Sequence, residues 1–235
     1  EALIRWNHPV LGKISPIDFI PQLKKTSYIN SLTNSILNRV MTMLKDWKSK
    51  GIDLKISINI TPYNIQSKEF VKKMLQLMDN FKESFSVELE LTESALMNEL
   101  ESIKEILADF KDKGIKIYID DFGTGYSSLA YLKNLPIDYI KIDKSFIDEM
   151  ITDENDKEIV NTTIKLGHAL GKIIVAEGVE NKETLDLLRK MGCNEIQGYY
   201  FAKPMKKDVL EEFLKINQNY KECSNEDLLL EPIFI

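Results

Sequence analysis

The sequence predicts an α/β fold closed into a (β/α)8-type barrel, on three observations. Short β-branched runs alternate with amphipathic stretches along the chain. The alternation counts out seven strands. And 235 residues suit one such barrel, which typically takes about 250.

The strand candidates, in order, are a short Ala2–Trp6, then Leu54–Ile60, Val87–Leu91, Ile115–Ile119, Ile137–Ile142 and Ile173–Ala176, and a short one around Glu195–Gln197. Helical spacing predicts Ile29–Lys50, Ser67–Phe81, Glu99–Lys113, Asp156–Leu170, Lys182–Met191 and Lys206–Ile216. Gly114, Gly171 and Gly192 stand where a helix-ending residue belongs. Strands that each precede a helix must run parallel, joined by helical crossovers. An open doubly wound sheet satisfies the same alternation. The abbreviated front end favours a barrel lacking its first strand and part of the second. Residues 1–216 form the predicted domain; 217–235 form a tail that turns polar and then apolar, as a linker or a packing segment.

Composition narrows the function classes. Hydrophobic residues make up 43 % and charged residues 29 %, enough apolar mass for a sizeable core. The net charge of −6 argues against a DNA-binding surface, whereas a small phosphate ligand remains open if a metal ion supplies positive charge locally. No apolar run is long enough to span a membrane and no signal peptide opens the chain. Cys193 and Cys223 lack metal-ligand spacing, which suits a reducing, cytoplasmic setting. The chain begins at Glu1 without an initiator Met and reads as a fragment. Missing upstream sequence could still anchor the full-length protein to a membrane.

The informative anomaly is polar. Nearly every strand candidate carries an acid or amide near its C-terminal end: Asn59, Glu90, Asp120 with Asp121, Asp143 beyond Lys141, Glu177, and Gln197. In a barrel those ends form the active face. Burying one carboxylate without a partner costs several kcal/mol. The single Lys141 cannot neutralise Glu1, Glu90, Asp120, Asp121 and Glu177. Divalent ions can, and hard oxygen donors suit Mg2+ or Mn2+. The competing reading makes each acid a solvated strand end. Asp120–Asp121 can serve one site only where the strand stops alternating. The following Phe122–Gly123–Thr124–Gly125–Tyr126–Ser127–Ser128 offers that turn, either as a lid over a metal site or as an ordinary strand-to-helix connection.

These residues also carry a resemblance. Glu1–Ala2–Leu3 with Ile4–Arg5–Trp6, Ser57–Ile58–Asn59, Glu90–Leu91–Thr92–Glu93, Asp120 to Leu129, Ile140–Lys141–Ile142–Asp143, Ala176–Glu177–Gly178–Val179–Glu180 and Gln197–Gly198–Tyr199 together resemble the EAL domain family of c-di-GMP-specific phosphodiesterases, from Glu1 to about Phe213. The resemblance implies a modified TIM (β/α)8-type barrel whose one antiparallel strand would precede Glu1. It implies metal-dependent hydrolysis of c-di-GMP to linear pGpG with two ions, Mg2+ or Mn2+. Glu1, Asn59, Glu90 and Asp120 would hold one ion, and Asp120, Asp121 and Glu177 the second. Lys141 would position the attacking water, with Glu177 the best general base and Asp121 completing the catalytic set. Leu3, Arg5, Glu180 and Gln197 would meet the substrate. Glu93 would brace the loop of Phe122, Gly123, Thr124 and Gly125, coupling it to a homodimer. An upstream sensory or nucleotide-cyclase-like module often accompanies the family.

Two positions depart from the family: Lys24 replaces a glutamate that helps recognise guanine, and Asn64 replaces a glutamine. The rival functions are a c-di-GMP receptor that binds without hydrolysis, an interaction domain with a relic site, and hydrolysis of a different phosphodiester. His8 and His168 read as structural, Cys193 as a buried small residue, and Trp6 as either a base-stacking or a core side chain.

Overall fold

The structure, a computed structural model, describes residues 1–24, 26–80, 86–98, 100–125 and 129–216. It divides into two compact units. The first comprises Glu1–Ile117 and Leu135–Ile137, the second Tyr118–Asn134 and the described residues from Asp138 onward.

The first unit opens with a hairpin of β1 (Trp6–His8) and β2 (Gly12–Ile14), antiparallel with Trp6 opposite Ile14. There follow α1 (Pro16–Leu23), α2 (Tyr28–Ser49), β3 (Lys55–Asn59), α3 (Pro62–Gln66), α4 (Lys68–Asn80), β4 (Ser86–Thr92), α5 (Glu93–Asn98) and α6 (Leu100–Asp112). Strand β5 (Lys116–Phe122) begins here and continues into the second unit. Strands β3 and β4 pair in parallel from Lys55 opposite Ser86 to Asn59 opposite Glu90. Ile56, Ile58, Val87, Leu89 and Leu91 are buried on one face, and Ser57, Glu88 and Glu90 are buried on the other. Burial of both faces is what a parallel pair with helical crossovers requires.

The second unit adds α7 (Leu129–Asn134), β6 (Tyr139–Ile142), α8 (Lys144–Glu149), α9 (Glu154–Ala169), β7 (Ile173–Ala176), α10 (Lys182–Met191), β8 (Glu195–Ile196) and α11 (Lys207–Ile216). Its strands lie in the order β5-β6-β7-β8, each pair parallel. Tyr118 stacks on Tyr139 with ring centroids 4.0 Å apart, and both are packed with Val175. On the opposite face Ile140, Ile142 and Ile174 are buried. Helix α9 comes so near β7 that a Cβ on Gly167 would lie 2.0 Å from Ile174 Cδ1. Gly192 closes α10 in the left-handed conformation, φ 80°, as its place after the helix predicts.

Several expectations are corrected. The strand expected at Ala2–Trp6 is an isolated backbone pair at Ala2, whose N–H donates to Ser57 O at 2.8 Å. Gly12, at φ 72°, instead folds residues 6–14 back on themselves. Helix α9 starts at Glu154 rather than Asp156, because Asp153 accepts from Asn155 N and caps it. The short helices α1, α3, α5, α7 and α8 were absent from the expected set. Phe81, Glu99, Tyr126–Ser128, Cys223 and the tail 217–235 lie outside the described residues. No described helix is long and apolar enough to cross a membrane.

Candidate active site

Seven of the expected site residues fall into two groups, one in each unit. In the first, β3 ends at Asn59, whose Nδ2 donates to Glu1 Oε1 at 2.6 Å. The Ala2–Ser57 backbone bond brings Glu1 to that strand end. Asn59 is also the register partner of Glu90, which is only 2 % exposed. Glu1, Asn59 and Glu90 therefore gather at the ends of two parallel strands. One row back Ser57 lies opposite Glu88, a buried acid with Lys55 Nζ at 3.8 Å.

The chain leaves β3 through a capping box. Thr61 Oγ1 accepts from Asn64 N, while Asn64 Oδ1 accepts from Thr61 N at 2.8 Å. Asn64 is fully buried, and its Nδ2 donates to Asn30 Oδ1 at 2.8 Å. Asn64 is thus a clasp of the fold. Leu3 is half-buried and Arg5 exposed, with Arg5 Nη1 donating to Ile4 O. Lys24 follows α1 as its half-buried C-cap. Glu93 opens α5 and is buried. Trp6 is 43 % exposed and meets Phe19 and His8 edge-on. His8 Nδ1 accepts from Val10 N and Leu11 N, the structural role its sequence context implied.

The second group is tighter. Strand β5 does not stop at Asp120; it runs to Phe122 through an irregularity between Ile119 and Phe122, with Asp121 at φ 54°. A bulge interrupts the alternation that would send adjacent side chains to opposite faces. Both acids are half-buried. After buried Phe122 the chain turns at Gly123, φ 101°, where a Cβ would lie 2.8 Å from the Phe146 ring. Thr124 Oγ1 donates to Asp121 O at 2.8 Å, and Gly123 to Gly125 are exposed.

Lys141 of β6 is 2 % exposed. Its Nζ lies 3.4 Å from Asp120 Oδ1 and pairs more closely still with Glu177 Oε1. Gln197 Nε2 donates to the same Glu177 oxygen at 3.3 Å. Backbone bonds hold Gln197 in place: its N–H donates to Ala176 O at 2.8 Å, and its carbonyl accepts from Val179 N. Asp120, Lys141, Glu177 and Gln197 thus converge from the ends of four neighbouring parallel strands. Glu180 is exposed and pairs with Lys144 at 2.6 Å. Asp143 does not join the group; its carboxylate accepts from Ser145 N and caps α8.

Sequence reasoning missed Lys144. Its only signal was its place one residue after Asp143, at the start of a helix too short to show periodicity. The Glu180 carboxylate beside it raises its pKa above the usual lysine value. Cys193 is buried as expected, and desolvation pushes its thiol up to about 12. His168 Nε2 and Asn194 Oδ1 are 2.9 Å apart, a structural bond. Glu149, Asp153 and Asp156 bring three carboxylates together at the start of α9, none of them an expected ligand.

The profile of the EAL domain matches residues 1–204. The chain belongs to the EAL domain family. A cyclic di-GMP phosphodiesterase of Pseudomonas aeruginosa is 37 % identical over 216 residues, 92 % of this chain and 37 % of that protein. The bifunctional diguanylate cyclase/cyclic di-GMP phosphodiesterase MucR of the same organism is 37 % identical over 212 residues, 89 % of this chain and 31 % of MucR. The solved phosphodiesterase part of MucR in complex with c-di-GMP superposes with a TM-score of 0.82 at 35 % identity, covering 88 % of this chain and 85 % of that one. This EAL domain spans about a third of the length of these curated relatives. The likeness assigns its parallel strands and helices to the TIM-type (β/α)8 class expected from the alternation.

Proposed function

We propose that this EAL domain hydrolyses one phosphodiester bond of c-di-GMP to give linear pGpG, with two divalent ions, Mg2+ or Mn2+. The observation that carries the reading is the buried Lys141 held between Asp120 and Glu177, in a chain whose relatives include named cyclic di-GMP phosphodiesterases. The donor chemistry fits the ions. Carboxylate and carboxamide oxygens gather at the strand ends of each unit, and in the second Lys141 faces two carboxylates, Asp120 and Glu177. Glu1, Asn59, Glu90 and Asp120 would hold one ion; Asp120, Asp121 and Glu177 would hold the other. Such ions act as Lewis acids and lower the pKa of a bound water.

The chain's own residues supply the rest. Lys141 Nζ, fixed by its two acids, would donate a hydrogen bond to the attacking water and steady the charge that develops on it. Glu177 Oε1, oriented by Gln197 and Lys141, would accept the water's proton. Arg5 would pair with a substrate phosphate, while Leu3, Gln197 and Glu180 would shape the pocket. Glu93 and the loop Phe122–Gly125 would couple site occupancy to a homodimer. In the full-length protein a sensory or cyclase-like module would act upstream.

The test is turnover with Mg2+ or Mn2+ by the wild-type chain and by Asp120→Asn. The expected result is pGpG from the wild type and none from a variant with an unchanged melting curve. An unimpaired Asp120→Asn enzyme would falsify the ligand role. Bound but intact c-di-GMP from the wild type would make the domain a receptor.

A further inference from the structure

Lys144 opens α8, three residues beyond Lys141. Its Nζ lies 2.6 Å from Glu180 Oε1 and 3.8 Å from Asp148 Oδ2. It also stands 5.7 Å from the ring centroid of Tyr199, which is 49 % exposed. The stem of the same side chain has a separate contact. A Cβ added at Gly178, φ 77°, would fall 2.3, 2.7 and 2.9 Å from Lys144 Cγ, Cδ and Cβ. The lysine stem therefore lies where a Gly178 side chain would have to go. Gly178 links Glu177 to Val179 and Glu180, and a second close approach fixes that turn. A Cβ on Gly198 would fall 2.2 Å from Val179 O and 2.3 Å from Val179 N.

We propose that Lys144 is a positioning residue with two separable parts: its ammonium aims the Glu180 carboxylate at the substrate, and its stem sets the turn that carries Glu177. The inference rests on the phosphodiesterase reading above. An exposed carboxylate on a free turn samples many rotamers, and ordering it costs substrate affinity. A lysine anchored at the helix start removes that freedom before substrate arrives. The raised pKa of Lys144 is consistent with a charge that stays in place.

The test separates head from stem. Lys144→Met keeps the stem and removes the charge. It raises KM for c-di-GMP by about twofold to fivefold, the range an ion pair of this exposure supports, with kcat nearly unchanged. Lys144→Arg restores KM. Lys144→Ala removes the stem as well and lowers kcat in addition, as Glu177 loses its support. Because Lys144 acts through Glu180, Lys144→Met adds nothing to KM in a Glu180→Gln background. A KM unchanged by Lys144→Met, or multiplied by the two substitutions, overturns the proposal. If the wild-type chain binds c-di-GMP without turnover, the phosphodiesterase reading fails. The same five variants, the double included, then report through the dissociation constant, where the same non-additivity is required. If the wild type neither binds nor hydrolyses it, both readings fall.

Discussion

Replacing Lys141 by Met keeps most of the volume of a side chain only 2 % exposed and removes its charge. Asp120 and Glu177 then face each other without the cation that lies 3.4 Å from Asp120 Oδ1 and closer still to Glu177. Removing one partner of a buried ion pair costs about 3–5 kcal/mol. The two acids retain 14 % and 18 % side-chain exposure, so water relieves part of the penalty and the low end, about 3 kcal/mol, applies. For a chain of this size that lowers Tm by roughly 6–12 °C. Mg2+ should restore part of the loss by replacing the missing positive charge. Turnover should fall by about 10²–10³-fold with or without that recovery if Lys141 is the proposed donor to the nucleophile. The assay is thermal unfolding in chelator and in Mg2+, beside steady-state hydrolysis. A variant that melts with the wild type in chelator refutes the reasoning, since it would mean Lys141 neutralises nothing.

Two further predictions concern the fold around this group. Gly198→Ala places a Cβ against the Val179 backbone, where no rotamer change gives relief. It should cost about 2–3 kcal/mol, read as a lower urea midpoint; an unchanged midpoint contradicts the close approach. The Cys193 thiol, raised from 9.0 to about 12 by burial, stays protonated at pH 8. In a Cys223→Ser background it should resist a thiol reagent in the native chain and react at once in urea. Since its folded pKa lies above the unfolded one, the stability it contributes is complete below about pH 9 and lost as pH rises toward 12. Equal reactivity in both states would count against the burial.

How far the sequence spoke for the structure differed by element. The β-branched runs that became β3, β4, β6 and β7 were legible because parallel strands are buried on both faces and favour such residues even where one face carries polar side chains. The convergence of Asp120, Lys141, Glu177 and Gln197 was legible for a related reason: parallel strands put their C-terminal ends on one edge. The need for broken alternation at Asp120–Asp121 could be read. That the break takes the form of an irregularity between Ile119 and Phe122, with Asp121 at φ 54°, could not, since pairing with β6 decides where it falls. Asp143 misled, because an acid after a strand can serve a site or cap a helix, and here it caps α8. Helices of five or six residues such as α3 and α8 show no period, and only the caps at Thr61 and Asp143 announced them. The meeting of Lys144 with Gly178 joins the start of α8 to a turn far along the sequence and left no local trace.

Chromatography of c-di-GMP after incubation with the wild-type chain, in Mg2+ or Mn2+ and again with excess chelator, reaches the central claim most directly. The account predicts complete conversion to a single linear dinucleotide with metal and none with chelator. Conversion that persists in chelator, or substrate recovered intact with metal present, contradicts it.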